Sequence, residues 1–285
     1  MTKVCVLLLF GACLRAGPIQ QARQAITDGA HNREGDQRRE AALALSLAPA
    51  KDPVVALLDK LATDKDYQVR VAAVDTLGEL DDKKRIGLVQ AALGDEVPEV
   101  AFAAAKALYA MKDPAGVQAL ESIYQGEIKG RSNFFQKEMR DSWRRLRTPR
   151  SAFFFALQNG LGFVPVPGVG AGYNALVGIL SDAETSARAV SLLTLCTTKN
   201  HACHEMLGTA FEDDDWTVRA AAVHIVTTGN WTGMKSNIAG LIQDRKDKVR
   251  LRAAAGYLRM EEYRQSTPRS PRRVRKLSSG DGKHA

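Results

Sequence analysis

Apolar positions in this chain recur in a fixed block of 31 residues. Each block opens with Asp, has Val or Ala five positions later, continues through alanines, and places a large apolar residue eight positions further on. The blocks begin at Asp64, Asp95, Asp182, Asp213 and Asp244. Within a block the apolar residues are three and four positions apart, as in amphipathic helices. The pattern therefore predicts helix pairs stacked into an array.

Residues that favour helix starts agree with this division. Asp66 and Asp215 precede apolar-periodic stretches and are predicted to be N-caps. Pro53, Pro98 and Pro114 suit first-turn positions, where a missing N–H group costs nothing. Ahead of the regular blocks, a short helix is predicted over residues 17–29, and a degenerate first repeat follows it. We expect that first repeat to be an end unit that covers the core and faces water.

Asp and Arg occur six residues apart in four blocks, as Asp64/Arg70, Asp182/Arg188, Asp213/Arg219 and Asp244/Arg250. Over residues 36–125 and 180–263 these units resemble HEAT repeats, and more loosely the repeats of bilin lyases. The resemblance implies an all-α, right-handed α-solenoid with a ladder of hydrogen bonds between Asp and Arg of neighbouring repeats. Ala101 replaces Arg in one block, which interrupts the ladder there.

Charge divides the chain into five segments. The net charge is +8, of which residues 264–285 contribute +6 and residues 127–150 contribute +5. The remainder is mildly acidic, which argues against a nucleic-acid groove along the repeats. We predict a signal peptide at 1–16, HEAT-like repeats at 17–126 and 182–263, an insert or degenerate repeat at 127–181, and a disordered basic tail at 264–285.

The N-terminus has one positive charge, an apolar run from Val4 to Phe10, and small residues after it. This order is typical of a secretory signal peptide. The sequence around Cys13 also resembles a lipobox, so lipidation of Cys13 and cleavage after Ala16 are both open. Export to the periplasm or the outer membrane is the preferred location. The alternative is a cytoplasmic protein whose first helix is apolar.

The insert breaks the period. Its first part, 127–150, is basic and aromatic, and no charged residue occurs from Ser151 to Ser181. One interpretation is contact with an anionic membrane surface through 127–150 and the basic tail. The other is an expanded repeat whose helices span 153–161 and 173–180, joined by a Pro/Gly loop. The glycines and prolines of the stretch argue against a continuous spanning helix.

Cys196, His201, Cys203 and His204 lie within nine residues at a predicted turn between helices. Two cysteines and two histidines suit Zn²⁺ by ligand type, but adjacent residues on a helix point in different directions and rarely share a metal. Instead of a metal site, we expect Cys196 and Cys203 to form either a disulfide, which an oxidising compartment would allow, or two free thiols. The His204-Glu205 pair resembles one of the several pairs that hold two irons in deoxyhypusine hydroxylase, a HEAT-like enzyme.

No catalytic constellation is present in the sequence, and no cofactor is predicted. We expect a monomeric, non-enzymatic scaffold of the bacterial cell envelope that binds another protein. The concave face of such an array is lined by the second helix of each pair. Its exposed column is predicted to include Asp75, Phe102, Lys106, His224 and Leu251. The alternatives are a HEAT-related enzyme or accessory lyase, and a peripheral membrane adaptor that uses residues 127–180.

Overall fold

The computed structural model describes residues 17–125, 172–182, 184–196 and 199–266. The predicted signal peptide with Cys13, most of the insert and most of the tail lie outside these residues. Within them the chain forms 13 α-helices and no strand. The all-α solenoid predicted from the period is therefore confirmed, while its right-handedness stays a prediction.

The α-helices fall into two runs separated by the insert. The first run consists of α1 (Pro18–Ala30), α2 (Gly35–Ala44), α3 (Leu57–Leu61), α4 (Tyr67–Leu80), α5 (Ile86–Ala92), α6 (Pro98–Ala110) and α7 (Pro114–Tyr124). The second consists of α8 (Tyr173–Leu180), α9 (Ala187–Leu195), α10 (His201–Ala210), α11 (Trp216–Thr228), α12 (Lys235–Leu241) and α13 (Asp247–Ser266). Short 3-10 turns lie at Leu45–Leu47, Pro53–Ala56, Lys83–Arg85 and Thr232–Met234.

Helix starts lie where the sequence predicted them. The side chains of Asp66 and Asp215 accept hydrogen bonds from backbone N–H groups in the first turns of α4 and α11. Pro98 and Pro114 are the first residues of α6 and α7. Each of these residues either satisfies a free N–H group at a helix end or removes one.

The Asp–Arg ladder joins neighbouring repeats. Arg38 donates two hydrogen bonds to Asp64 at 2.7 Å, and Arg70 pairs in the same way with Asp95 at 2.8 and 2.9 Å. The second run repeats this geometry, with Arg188 bonded to Asp213 and Arg219 bonded to Asp244. Each Arg reaches the Asp 25 or 26 residues further along, so the predicted bonding between repeats is confirmed.

The two runs of helices are joined in an order that the sequence did not predict. The last helix, α13, packs against α1, α2 and the Leu45–Leu47 turn. A Cβ atom on Gly29 of α1 would lie only 2.6 Å from Leu251 Cδ2 of α13, so the two helices approach closely at this glycine. The order in space is therefore α9, α11, α13, then α1/α2, α4 and α6. The expectation that the first repeat is a water-facing end unit is wrong, because α13 covers it.

Helix α8 lies across this junction. It contacts α2, α4 and α11, which are all second helices of their pairs, and the Leu45–Leu47 turn. We call the surface of the second helices on which α8 rests the inner face. The predicted helix at 173–180 has the bounds observed for α8. Its packing differs from that of an ordinary repeat helix, because α8 bridges the N-terminal and C-terminal repeats.

Candidate functional site

A cavity of about 510 Å³ opens on the inner face beside α8, and we call it the inner cavity. Its walls come from four helices, α2, α4, α6 and α8, so three successive repeats and the bridging helix meet there. The lining is mixed in chemistry, with aromatic, acidic, basic and amide side chains. The residues with polar groups are Arg39, Tyr67, Gln68, Asp75, Glu99, Lys106, Tyr173 and Asn174.

Two of the five predicted binding residues line the inner cavity. Asp75 and Lys106 occupy the same position of successive repeats and form an ion pair at 3.4 Å. Phe102 lies one turn before Lys106, whose ammonium is 5.6 Å from the centre of the Phe102 ring. The second helices therefore present this part of the predicted column to the open side of the array.

The expectation that His224 and Leu251 are exposed is wrong. His224 is 8% exposed because the start of α8 lies against it, with Gly172 close to the imidazole ring. Burial, followed by the positive charge of Arg252, lowers the pKa of His224 to about 4. Leu251 is 2% exposed because it packs against α1 at the junction. Leu251 therefore belongs to the contact between the two runs of helices, and His224 to the contact of α11 with the start of α8.

Sequence reasoning missed Glu99 and Tyr173, which carry the most distinctive polar atoms of the inner cavity. Glu99 Oε2 and the Tyr173 hydroxyl are buried and have no hydrogen-bond partner among the described residues. Burial, with the nearby carboxylates of Glu79 and Asp75, raises the pKa of Tyr173. A signal existed for Glu99, since it lies two helical turns before Lys106. No signal existed for Tyr173, whose place depends on the docking of α8.

Glu79 of α4 anchors the first turn of α8. Its carboxylate accepts hydrogen bonds from the backbone N–H groups of Tyr173 at 2.6 Å and Asn174 at 2.9 Å. Ser46 accepts another from Ala175 at 3.2 Å. These side chains satisfy donors that a helix start leaves free. Burial raises the pKa of Glu79 to about 7, although the N–H groups of α8 and the charge of Arg259 act in the opposite direction.

The turn between α9 and α10 holds a disulfide between Cys196 and Cys203, with Cα atoms 5.3 Å apart. The cysteines are thus bonded to each other. His201 is exposed and pairs with Glu205 at 3.6 Å, while the ring of His204 lies 6.3 Å from that of Trp231. Among the described residues no group of three or more His, Cys, Asp or Glu side chains is arranged to hold a metal ion.

None of the described helices is both long and apolar enough to cross a membrane. The predicted membrane-contact segment 127–150 lies outside the described residues.

The structure is that of a helical-repeat protein. Its helix pairs are stacked, the Asp–Arg ladder joins neighbouring repeats, and the second helices form the inner face. Residues 53–129 match the family model of HEAT repeats. The match falls on the repeats that supply α4 and α6 to the inner cavity. HEAT repeats generally serve as scaffolds for protein interactions.

No curated protein matches the chain. Among solved structures, the crystal structure of an engineered protein is 13% identical, with 85% of this chain and 96% of that chain covered. The TM-score between the two structures is 0.27.

Proposed function

We propose that this protein is a non-enzymatic scaffold of the bacterial cell envelope that binds another protein at the inner cavity. The observation that carries the proposal is the cavity itself, a polar and aromatic recess where the inner face remains open. Helix α8 lies on the inner face against α2, α4 and α11. The cavity beside α8, between α2 and α6, is therefore where we place the docking partner.

The composition of the inner cavity supports binding over catalysis. Its one ion pair, Asp75 with Lys106, joins neighbouring repeats and fixes both side chains. Tyr67 stands at the rim with 40% of its surface exposed. Tyrosine and arginine, which the lining supplies as Tyr67, Tyr173 and Arg39, are enriched at protein interfaces, where aromatic residues act as anchors.

Two observations support export to the envelope. The first is the apolar run between Lys3 and the small residues near Ala12, which is typical of a signal peptide. The second is the disulfide between Cys196 and Cys203, since such bonds persist in oxidising compartments and are rare in the cytosol. Whether Cys13 carries lipid is part of the same proposal and needs mass spectrometry of the mature protein.

Site-specific photo-crosslinking in the native cell tests the binding site. A photo-reactive amino acid at Gln68, an exposed residue of the inner cavity, is expected to form an adduct with one partner protein. The matched control places the same amino acid at Lys60 of α3, an exposed position on a first helix. We expect no adduct of the same mass from Lys60. Equal crosslinking from both positions, or none from Gln68, contradicts the proposed site.

A further inference from the structure

Helix α8 lies in a place that its position in the sequence does not predict. It ends just before Asp182, and in the other repeats the helix that ends just before the opening Asp is a first helix. Those first helices pack against the second helices that follow them, as α3 does with α4 and α12 does with α13. Helix α8 packs instead against α2, α4, α11 and the Leu45–Leu47 turn. Its place in the sequence and its place in the structure therefore differ.

Helix α9, which follows α8, has an uncovered apolar side. Leu195 stands in the same column of the repeat as Leu77 and Leu108, which are fully buried, yet Leu195 is 59% exposed. Val190 and Leu193 of α9 are only partly buried. The apolar stripe of a helix normally faces the core. Among the described residues, α9 therefore lacks the cover that this column has in the other repeats.

The hydrogen bonds of this block also depart from the repeat geometry. In ordinary blocks the arginine donates to the backbone carbonyl group of the Asp six residues before it, as Arg70 does to Asp64 at 2.7 Å. Arg188 is exposed and makes no such bond to Asp182, although the structure describes both residues. The carboxylate of Asp182 pairs with Lys248 of α13. The start of this block is therefore displaced from the position that the other blocks share.

The composition of α8 suits packing on more than one surface. Residues 173–180 carry no charge. Ala175 and Ile179 are buried against the inner face, while Leu176 and Leu180 lie on another side of the helix and are only partly buried. A surface helix of a soluble protein usually has one apolar stripe and one polar face. Helix α8 has a second apolar side that its present position does not fully use.

The linker after α8 is long enough for an ordinary helix pair. It consists of residues 181–186, one residue more than the linkers 62–66 and 242–246 of two ordinary repeats. Short linkers of this length join antiparallel neighbouring helices. The linker therefore allows α8 to pack beside α9 as the other first helices pack beside their second helices.

We propose that α8 has two positions, one on the inner face and one beside α9 as an ordinary first helix. In the second position α8 covers Leu195 and leaves the inner face over α2, α4 and α11 open. The inner cavity then loses the wall that Tyr173, Asn174 and Val177 supply, and it becomes a groove. The regulatory consequence rests on the proposed function: the partner protein meets a larger surface when α8 lies beside α9.

The contacts of α8 with the inner face identify two variants that release it. A Cβ atom on Gly178 would lie 2.8 Å from Arg252 Nη2 and 3.0 Å from Leu43 Cδ1, and both of these side chains are buried. Gly178→Leu therefore excludes α8 from the inner face. Glu79→Ala removes the carboxylate that accepts the N–H groups of the first turn of α8. Circular dichroism establishes that each variant is folded, and either variant remains informative if the other does not fold.

Thiol labelling of cysteine variants of the full chain, resolved by peptide mass spectrometry, reports the two positions. Ser46→Cys replaces a buried hydroxyl that accepts the Ala175 N–H group, so it is labelled when α8 leaves the inner face. Ser191→Cys is exposed and lies one turn before Leu195 on the same side of α9, so it is protected when α8 lies there. Thr76→Cys, buried and bonded between α4 and α2, is the control for opening of the repeats themselves.

The two release variants should change the labelling of these thiols in opposite directions. With Gly178→Leu or Glu79→Ala we expect Ser46→Cys to react at least about tenfold faster, because the population of the inner-face position falls. Ser191→Cys should react about threefold more slowly or less, because α8 then covers it. The reactivity of Thr76→Cys should stay unchanged.

A third variant weakens only the position beside α9. Leu195→Asn, in a chain with no release variant, is expected to slow the labelling of Ser46→Cys about threefold, because α8 then has no second surface to pack on. Detachment of α8 without a second position would not respond to this change. The matched control is Val117→Asn, at another exposed apolar residue on α7, which should have no effect.

Three outcomes overturn the inference. The first is faster labelling of Ser46→Cys without protection of Ser191→Cys, because α8 then detaches without reaching α9. The second is unchanged labelling of Ser46→Cys in both release variants. The third is faster labelling of Thr76→Cys, which means that the repeats open and not α8 alone.

Crosslinking from Gln68 separates this inference from the proposed function. If Gln68 captures one partner in the cell while the thiols do not respond, the proposed function stands and the second position of α8 is wrong. If the thiols respond as expected and Gln68 captures no partner, α8 has two positions and the proposed binding site is wrong. Gly178→Leu is expected to raise the yield of the Gln68 adduct, and an unchanged or lower yield overturns the regulatory consequence.

Discussion

The junction between α13 and α2 can be tested through one buried ion pair. Arg252 Nη1 lies 2.9 Å from Glu40 Oε2, and the two residues are 212 positions apart in the chain. The Arg252 side chain is 0% exposed and that of Glu40 is 5% exposed. In an extended array the first and last repeats would not touch. Energetic coupling between these residues therefore reports directly on the order of the helices.

Removing one partner of this pair leaves an uncompensated charge in the core. Arg252→Ala is expected to cost about 3–5 kcal/mol of unfolding free energy. Arg252 also donates to the carbonyl oxygens of Lys248 and Ala175, so its loss frees two acceptors as well. Glu40→Ala should cost less, about 2–3 kcal/mol, because the charge it strands is also bonded to those carbonyls.

A double-mutant cycle isolates the interaction. The double variant is expected to be more stable than the sum of the single effects predicts, with a coupling energy of about 1.5–3 kcal/mol. Urea unfolding is followed by circular dichroism and by tryptophan fluorescence, because repeat arrays can unfold in parts. The pair Arg38 and Asp64 is the positive control, since it is adjacent in any arrangement of repeats. A coupling below about 0.5 kcal/mol between Arg252 and Glu40 would refute the junction.

Four further predictions concern stability. Leu77→Ala, at a fully buried position, should lower the unfolding free energy by about 2–5 kcal/mol in urea titrations. The pKa of Glu79 is raised from 4.5 to about 7, so its stabilising effect is complete below pH 4.5 and is lost as the pH rises through 7. The pKa of His224 is lowered from 6.5 to about 4, so stability is lost as the pH falls from 6.5 through 4. Each contribution is about 3 kcal/mol and should vanish from pH-dependent unfolding curves of Glu79→Gln or His224→Gln, whereas unchanged curves contradict the assignment. Replacing Cys196 and Cys203 by Ser should cost about 2–3 kcal/mol, measured against the unreduced protein, and no loss means that the bond is absent in solution.

Local features of the repeats were predictable because they depend on neighbours in sequence. Asp66 and Asp215 cap helices through bonds to residues two positions later, and this geometry is set by the chain itself. Arg70 reaches Asp95 because adjacent repeats must stack to bury their apolar faces. A pattern repeated every 31 residues specifies such contacts several times over.

The junction could not be predicted because the periodic pattern stops at the insert. Gly29 and Leu251 look like ordinary helix residues in the sequence, and nothing marks them as partners. The same holds for Glu40 and Arg252, whose charges would usually indicate solvent-exposed positions. The errors at Leu251 and His224 follow, since Leu251 is covered where the two runs meet and His224 is covered where α8 lies on α11.

The cavity itself was not predicted, but two of its lining residues were predicted as part of an exposed column. Asp75 and Lys106 share a column of the repeat, so their common face follows from the period. The position of Tyr173 in the cavity wall does not follow from the period, because Tyr173 belongs to α8, which is outside the repeat. Only the anchoring of α8 by Glu79 completes the cavity.

The Asp–Arg ladder is not continued at the junction between α13 and the first repeat, so other contacts join the two. Asn32 stands six residues before Arg38, where the other repeats have Asp before Arg. An amide there offers no charge to an incoming guanidinium, and Arg250 bonds instead to Asp247 of its own helix. The ladder therefore does not cross from α13 to the first repeat. The buried pair of Arg252 with Glu40 and the bridging helix α8 take its place.

A buried ion pair contributes less to stability than apolar packing of equal volume, but it is satisfied in one alignment only. We interpret it as the contact that sets the register of α13 on α2, and through α8 the shape of the inner cavity.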